Sequence, residues 1–181
     1  STQFSIQKTV STQLQIYASI LRRHRRRSSA RDGVVICGAY GRGNAGDDAI
    51  LEAICAQLRS VDPDLPLYVL SRTPTATAQR YRIGAIYTFN YPAYIRRMRR
   101  VRLYISGGGS LIQDVPSRRS LWFYLHNIQA AHKAGCKVQM YGCGIGPVLR
   151  EQHRKLAASV LNASVDVITL REPDSLKELQ S

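Results

Sequence analysis

Short apolar runs alternate with helical patterns along most of the chain. Six runs rich in Val, Ile, Leu and Tyr predict strands that are buried on both faces. They lie at Val34–Cys37, Leu67–Leu70, Ala85–Tyr87, Val101–Ile105, Lys137–Tyr141 and Val165–Leu170. Strands that alternate with helices are typical of a parallel sheet covered by crossover helices. The pattern therefore predicts an α/β fold with a Rossmann-like parallel sheet and helices on both faces.

Helical periodicity fills the segments between these strands. The predicted helices cover Asp47–Arg59, Thr75–Arg82, Tyr91–Arg100, Ser120–Ala134 and Arg150–Ala163, and a last one begins at Pro173. Proline suits a first helical turn, because its missing N–H would have no intrahelical partner there. With 181 residues the chain can bury a substantial core, so we expect one domain over residues 33–181.

The first 32 residues follow a different pattern. Val10, Leu14, Tyr17 and Leu21 recur at helical spacing, which predicts a basic amphipathic helix as an N-terminal extension. The basic side chains that follow include Arg22, Arg23, Arg25, Arg26 and Arg27. Two interpretations stay open: a solvated charged helix or linker, or a segment that binds an anionic membrane surface or an acidic partner.

The net charge narrows the range of partners. Lys and Arg number 26 against 12 Asp and Glu, a formal charge of +14, which points to anionic partners. A second basic cluster surrounds the fourth predicted strand and is expected to face solvent or an acidic lipid or polymer; it contains Arg96, Arg97, Arg99, Arg100 and Arg102. Nucleic acid would call for aromatic residues interleaved with such a cluster on a recognisable module, so we expect no nucleic-acid partner.

The four cysteines argue against a metal site or a disulfide framework. Cys37, Cys55, Cys136 and Cys143 form no C-x-x-C pair and lie in or beside apolar segments, which predicts buried reduced thiols in a cytosolic protein. No run approaches the roughly 18 apolar residues of a membrane span. We expect a cytoplasmic location, with peripheral attachment at the inner face of the membrane as an alternative.

Glycine-rich segments follow several of the predicted strands. They lie at Gly38–Asp48, Ser106–Ser110 and Gly142–Pro147, and the polar segment Arg171–Ser175 follows the last strand. In an open parallel sheet ligands gather at the carboxyl ends of the strands. A missing side chain also lets a ligand approach the backbone and its N–H groups. We therefore predict turns there and a ligand site along that edge.

The first of these segments leaves two chemistries open. Residues 41–46 match the GxGxxG pattern of dinucleotide-binding proteins, and Arg72 could hold the 2′-phosphate of NADP. Against that reading, Asp47 and Asp48 place negative charge where a pyrophosphate needs positive potential. The aspartates either cap the helix or hydrogen-bond and deprotonate a sugar hydroxyl. Chemistry on a hydroxyl group is the better fit.

Arg171 directly follows the sixth predicted strand. Its guanidinium is expected at the edge of the sheet, where it could hold a phosphate or carboxylate in a bidentate fork. The alternative is an internal salt bridge to Glu172 or Asp174.

Four segments together resemble the polysaccharide pyruvyl transferase family. They are GxGNxGDDAILEAI at 41–54, SGGGSLIQD at 106–114, YGCGIGPV at 141–148 and TLREPDS at 169–175. Their order and spacing are also similar to the family's. The resemblance covers roughly residues 33–181 and is greatest to the branch that pyruvylates an N-acetylmannosamine-containing, lipid-linked precursor of a cell-wall polymer.

The resemblance implies an architecture and a reaction. The family's fold is expected to resemble two-domain GT-B-type glycosyltransferases, with the active site between two Rossmann-like halves, of which this chain would be the N-terminal one. The C-terminal half, missing from this chain, would hold most phosphoenolpyruvate contacts, so we expect this polypeptide alone to be inactive. The pyruvyl group would move from phosphoenolpyruvate to a sugar as a ketal, with no metal or other cofactor.

The resemblance also implies roles for individual residues. Asp47 and Arg171 match positions expected to be catalytic. The positions expected to bind substrate are Tyr40, Asn44, Gly107, Gly108, Gly109, Ser110, Gln113, Asp114, Gly144, Gly146, Glu172 and Ser175. Among these, Asn44, the segment 107–110, Gln113 and Asp114 would shape the acceptor side. Three alternatives remain: a GT-B-type glycosyltransferase, an NADP-binding domain and a basic membrane-docking module.

Overall fold

A computed structural model of the protein describes residues 15, 16, 18, 31–115 and 117–180. The strands are β1 (Val34–Cys37), β2 (Leu67–Ser71), β3 (Gly84–Tyr87), β4 (Leu103–Ile112), β5 (Lys137–Ile145) and β6 (Val167–Leu170). The helices from residue 31 onward are α1 (Ala45–Val61), α2 (Pro74–Tyr81), α3 (Tyr91–Met98), α4 (Arg118–Lys133), α5 (Glu151–Ser164) and α6 (Pro173–Gln180). Of the amphipathic helix predicted near the N-terminus, only residues 15, 16 and 18 are described. The arginines at 22–27 also lie outside the described residues.

The strands form one parallel sheet in the order β3-β2-β1-β4-β5-β6. This confirms the predicted Rossmann-like α/β fold. The chain builds outward from β1 to β3 and then returns to the other side of β1 with β4. Such a reversal separates the connections that leave β1 and β4, so it opens a crevice at their carboxyl ends.

Helices cover both faces of the sheet, each over its own core. On one face α1 buries Leu51, Ile54 and Leu58 against Ile36 and Ile105. The other face packs beneath α3, α4 and α5, through side chains that include Tyr94, Met98, Leu125, Ile128 and Leu161. The buried apolar surface on both faces explains why the four inner strands were visible in the sequence as continuous hydrophobic runs, and the edge strands β3 and β6 are only partly buried.

All four cysteines are free and buried, which confirms the prediction of reduced core thiols. Burial raises the pKa of Cys37 to about 12, although a hydrogen bond with Tyr104 opposes the shift. Burial likewise raises the pKa values of Cys55 and Cys136 to about 11. The thiols therefore stay protonated and serve as small apolar side chains.

Of the glycine-rich segments predicted as turns, 106–110 is strand throughout, and 142–147 is strand up to Ile145. β4 and β5 run on through them as neighbours, with Gly107 opposite Tyr141 and Gly109 opposite Cys143. The positive φ angles of Gly108 and Gly109 and a register shift just beyond them bend β4 without ending it. The prediction of turns was wrong here because each strand supplies the other's hydrogen bonds, a non-local pairing that overrides the local preference of glycine.

The arginine cluster near β4 is not uniformly exposed, contrary to expectation. Arg102 is only 7% exposed, and its guanidinium pairs with Asp32. Arg97 lies over the ring of Tyr68, with 3.8 Å from its guanidinium carbon to the ring centroid. The remaining members, Arg96, Arg99 and Arg100, face solvent as predicted. None of the described helices is long and apolar enough to cross a membrane.

Two of the glycines in the loop between β1 and α1 offer a test of close packing. Gly41 and Gly43 both have positive φ, but a Cβ at Gly41 would lie 2.2 Å from Ser71 Oγ, whereas one at Gly43 would meet nothing within 4 Å. We expect Gly43→Ala to lower the free energy of unfolding by about 1 kcal/mol, the cost of the left-handed backbone. Gly41→Ala should cost roughly 1–3 kcal/mol more because of the overlap. Urea denaturation of both variants measures the difference, and equal losses would contradict the packing of Gly41.

Candidate functional site

A cleft of about 770 Å³ opens at the carboxyl ends of β1 and β4. The loop after β1 forms one side, and the end of β4 with the start of α4 forms the other. Residues that follow β2, β3 and β6 complete it, namely Arg72, Thr88, Phe89 and Arg171. The volume is typical of small-ligand sites, and the position is the one expected for this sheet order.

Asn44 caps the helix that opens onto the cleft. Its side-chain oxygen accepts a hydrogen bond from the Gly46 N–H at 2.9 Å. Asp48 turns away to pair with Arg80 at 2.8 Å. The Asp47 carboxylate has no hydrogen bond or ion pair with the described part of the chain. Capping, one of the two roles considered for the aspartates, therefore belongs to Asn44, and the Asp47 side chain is left available to a ligand.

The Asp47 carboxylate sits at the cleft in a setting that favours its protonated form. An ideal Cβ on Gly109 would lie 3.4 Å from Asp47 Oδ1, so glycine leaves this carboxylate room beside β4. Burial, and then the charge of Asp48, raise the pKa of Asp47, while Arg42 opposes them. A carboxylate with a raised pKa in a cleft is a stronger base than an ordinary surface carboxylate, and such groups are candidates for proton exchange with a ligand.

Positive charge dominates the rest of the cleft. The arginines that line it are Arg42, Arg72, Arg119 and Arg171. Asp47 is the only acidic residue among the described residues lining it. Four guanidinium groups around one carboxylate create a positive potential, which attracts anionic ligands such as phosphates and carboxylates.

Arg171 lies at the edge of the sheet and also forms an internal salt bridge, the two arrangements considered for it. Its Nη2 donates to Glu172 Oε1 at 3.1 Å and lies 3.4 Å from Ser110 Oγ, yet the side chain is half-exposed and lines the cleft. An ideal Cβ on Gly144 would lie 2.5 Å from Ser110 Oγ and 3.2 Å from Arg171 Nη2. The missing side chain of Gly144 is therefore what lets Arg171 and Ser110 meet at this edge.

The structure brings half of the predicted site residues together at the cleft. Those lining it are Tyr40, Asn44, Asp47, Gly109, Ser110, Gln113 and Arg171. Two others support its wall: Gly107 accepts a hydrogen bond from the Tyr40 hydroxyl at 2.9 Å, and Gly108 packs beneath Ile50. Gly144 and Glu172 lie against Arg171 at the rim.

Asp114 is buried away from the cleft, although it was expected to shape the acceptor side. It accepts hydrogen bonds from the N–H groups of Leu149 at 2.9 Å and Arg150 at 3.2 Å, and it pairs with His153 Nδ1 at 2.8 Å. These contacts hold the start of α5, where no side chain of its own caps the helix. Burial would raise the pKa of Asp114, but the three partners together lower it.

Two further predicted residues also make packing contacts outside the cleft. The Ser175 hydroxyl is buried and accepts a hydrogen bond from the Ile145 N–H at 3.0 Å. Gly146 lies against the Glu178 side chain, which would overlap a Cβ at that position. The structure thus places Asp114, Gly146 and Ser175 where they join α5 and α6 to the sheet.

Several lining residues had no clear signal in the sequence. Besides three of the arginines, the cleft contains the aromatic side chains Phe89, Phe123 and Tyr124. They come from connections distant in sequence, so only the sheet order brings them together. Among the arginines, Arg72 was considered only for an NADP phosphate, and Arg42 carried a usable signal because it lies within the glycine-rich loop. Among the described residues no group of three or more His, Cys, Asp or Glu could hold a metal ion.

Comparison with known families supports the resemblance noted in the sequence. Residues 44–180 match the sequence model of the family described as polysaccharide pyruvyl transferase. The chain belongs to this family. No curated protein and no solved structure was found to match it. The likeness to two-domain GT-B-type enzymes therefore stays a prediction.

The family match includes nearly the whole candidate site. It begins at Asn44, the cap of α1, and extends past Arg171 through α6. Every predicted site residue except Tyr40 falls within the matched range. Membership in the family indicates pyruvyl transfer to a polysaccharide as the general activity.

Proposed function

We propose that the cleft is the acceptor side of an enzyme that transfers a pyruvyl group from phosphoenolpyruvate to a lipid-linked cell-wall saccharide, with N-acetylmannosamine as the modified sugar. The observation that carries this proposal is the Asp47 carboxylate, which has no hydrogen bond or ion pair with the described residues and lies in an arginine-lined cleft. Family membership supplies pyruvyl transfer as the reaction class. The choice of donor and sugar rests on the resemblance of the four sequence motifs.

The proposed reaction balances without an oxidant or reductant. Two hydroxyl groups of the sugar form bonds to the enol carbon of phosphoenolpyruvate, and the bond from that carbon to the phosphate oxygen breaks. The methylene carbon gains one proton and becomes a methyl group. The second hydroxyl proton leaves with inorganic phosphate, and the product is a cyclic ketal.

Asp47 would orient a sugar hydroxyl and take its proton. The carboxylate is near the N-terminus of α1, where the helix dipole favours its ionised form, while burial and Asp48 favour the protonated form. This balance leaves a group that can accept a proton during attack and release it afterwards. Positioned general bases of this kind contribute about 10²–10⁴ in rate.

Arg171 would stabilise negative charge on the donor. Its guanidinium is held at the rim by Glu172 and Ser110 yet remains half-exposed, so it can turn its free N–H groups to a carboxylate or phosphate. Asp47 is the sole acidic residue among the described residues lining the cleft. We expect the proton donor to the methylene carbon, and further donor contacts, to come from a second half of the enzyme.

A nucleotide-sugar transferase is the rival function. Four arginines could equally hold a diphosphate, and the sheet order is one that binds nucleotides. The two functions release different products. The intact protein should be incubated with a lipid-linked disaccharide ending in N-acetylmannosamine and with either phosphoenolpyruvate or nucleotide sugars. Phosphate release that requires both phosphoenolpyruvate and the acceptor supports the proposal. Release of a nucleoside diphosphate from a nucleotide sugar would overturn it.

The environment of Asp47 predicts a change in pH dependence. The negative charge of Asp48 raises the pKa of Asp47, so Asp48→Asn should lower that pKa. A base works when it is deprotonated, and the acid limb of kcat/KM against pH should therefore move to lower pH. Arg80→Gln, which breaks the ion pair of Asp48 but keeps its charge, serves as the control and should leave the limb in place. An unmoved limb, or a shift to higher pH, in Asp48→Asn would count against Asp47 as the base.

A further inference from the structure

Four aromatic rings form a continuous strip from the outer edge of the sheet to the cleft. This aromatic strip consists of Tyr87, Phe89, Phe123 and Tyr124. The ring centroids lie 5.8 Å apart for Tyr87 and Phe89, 6.1 Å for Phe89 and Phe123, and 5.2 Å for Phe123 and Tyr124. The rings come from the end of β3 and the first turns of α4, so the sheet edge and the helix jointly fix the strip.

The two outer rings of the strip are exposed, and the two rings nearer the reactive end of the cleft are buried or partly buried. Tyr87 is 44% exposed and Phe89 58% exposed, whereas Phe123 is partly buried and Tyr124 is almost wholly buried. Phe89, Phe123 and Tyr124 line the same cleft as Asp47. Adjoining exposed aromatic rings, here Tyr87 and Phe89, are uncommon on a protein surface, and such patches mark binding sites.

Polar side chains accompany the rings along this wall. The Arg72 guanidinium lies over the Phe89 ring, 4.6 Å from its centroid. Thr88, Ser117 and Arg119 line the cleft beside the aromatic residues. A pyranose ring has the matching chemistry, because its C–H faces pack on aromatic rings while its hydroxyl groups need hydrogen-bond partners at the edges.

We infer that the aromatic strip is a subsite for the saccharide chain of the acceptor. It would hold the sugar units next to the one that approaches Asp47. This inference rests on the proposed function. Phe89 and Phe123 line the cleft and Tyr87 continues the strip beyond it, so the saccharide chain would lie along these three rings, while the almost wholly buried Tyr124 packs against Phe123.

The shape of the wall favours a saccharide over a lipid surface. Phe89 and Phe123 line a concave cleft, and each touches a neighbouring ring edge to face. A membrane surface is met by side chains that project together from a convex face. Binding of the strip to a membrane surface is therefore the result that would contradict a saccharide subsite.

The subsite can be tested by binding, without turnover. Ligand-detected NMR on the intact protein would measure the Kd of the methyl glycoside of N-acetylmannosamine and of a methyl disaccharide that ends in the same sugar. We expect the disaccharide to bind about tenfold more tightly, equivalent to roughly 1.4 kcal/mol. Phe89→Ala should remove that preference, and Phe89→Trp should retain it. Trp122→Ala is the matched control, because Trp122 is 53% exposed but does not line the cleft.

Kinetics with the same variants separate this inference from the proposed function. Phe89→Ala should raise the KM of the disaccharide acceptor about tenfold more than it raises the KM of the methyl glycoside. Transfer that proceeds with an unchanged preference in Phe89→Ala would overturn the subsite and leave the function standing. If the disaccharide binds more tightly but no pyruvyl group is transferred from phosphoenolpyruvate, the subsite stands and the proposed function is wrong. Loss of sedimentation with anionic vesicles in Phe89→Ala, at an unchanged acceptor preference, would assign the strip to membrane docking instead.

Discussion

Asp47→Asn is expected to lower pyruvyl transfer by about 10²–10⁴-fold while the fold stays intact. The amide is isosteric with the carboxylate but cannot take a proton from a sugar hydroxyl. Asn44 already caps α1, and Asp47 makes no hydrogen bond or ion pair with the described residues. The lost interaction with the helix dipole should therefore cost only about 0.3–1 kcal/mol of stability.

At a pH above the acid limb, where a lower pKa of Asp47 leaves it ionised in any case, the neighbouring aspartate provides the control for this change. Asp48→Asn makes the same chemical substitution one residue away, on a side chain that pairs with Arg80. Turnover of both variants and their melting temperatures should be measured together. If Asp47→Asn keeps turnover within about threefold of wild type at an unchanged melting temperature, far below the effect of a positioned base, Asp47 has no part in catalysis.

Asp114→Ala is expected to lower the free energy of unfolding by about 1.5–3 kcal/mol, the range for losing hydrogen bonds to a charged group. The substitution leaves the N–H groups of Leu149 and Arg150 without their acceptor and His153 without its carboxylate. Since Asp114 lies outside the cleft, the loss should appear in urea denaturation more than in kcat of the folded fraction. A loss below about 1 kcal/mol, the level of a surface ion pair, would contradict this role.

The pH dependence of the free energy of unfolding distinguishes the contribution of the Asp114 charge from that of its packing. Burial acts to raise its pKa, but its hydrogen-bond partners lower it overall. A carboxyl group with a lowered pKa in the folded state stabilises the protein above its unfolded pKa and loses that effect as the pH falls through the folded value. The advantage of the wild type over Asp114→Asn should therefore shrink below about pH 4. An advantage that persists undiminished in acid would assign the effect to packing.

The sequence predicted the fold well because a parallel sheet buries both of its faces. Each strand then appears as an apolar run, and all six were found, β1 with its exact bounds. The ends of β4 and β5 were misjudged because their glycine-rich segments pair with each other across the sheet. Local preference cannot reveal such pairing, and the same limit explains Arg102, whose partner Asp32 is distant in sequence.

Site residues were predictable where the topology of the sheet alone determines their position. Asp47 and Arg171 follow β1 and β6, so a parallel sheet must bring them to one edge, and both line the cleft. Asp114 belongs to a conspicuous motif, yet its partners come more than thirty residues later, and only the structure reveals its packing role. The aromatic strip was missed because its rings come from two separate parts of the chain, the end of β3 with the residues just after it and the first turns of α4.

The most direct measurement follows the enol carbon of the donor. Phosphoenolpyruvate labelled at that carbon would be incubated with the intact protein and the lipid-linked disaccharide, and the products analysed by NMR together with released phosphate. The account predicts that the label becomes a ketal carbon bonded to two sugar oxygens, with one phosphate released for each ketal formed. A label that remains in phosphoenolpyruvate or free pyruvate, while a nucleotide sugar is consumed by the same acceptor, would contradict it.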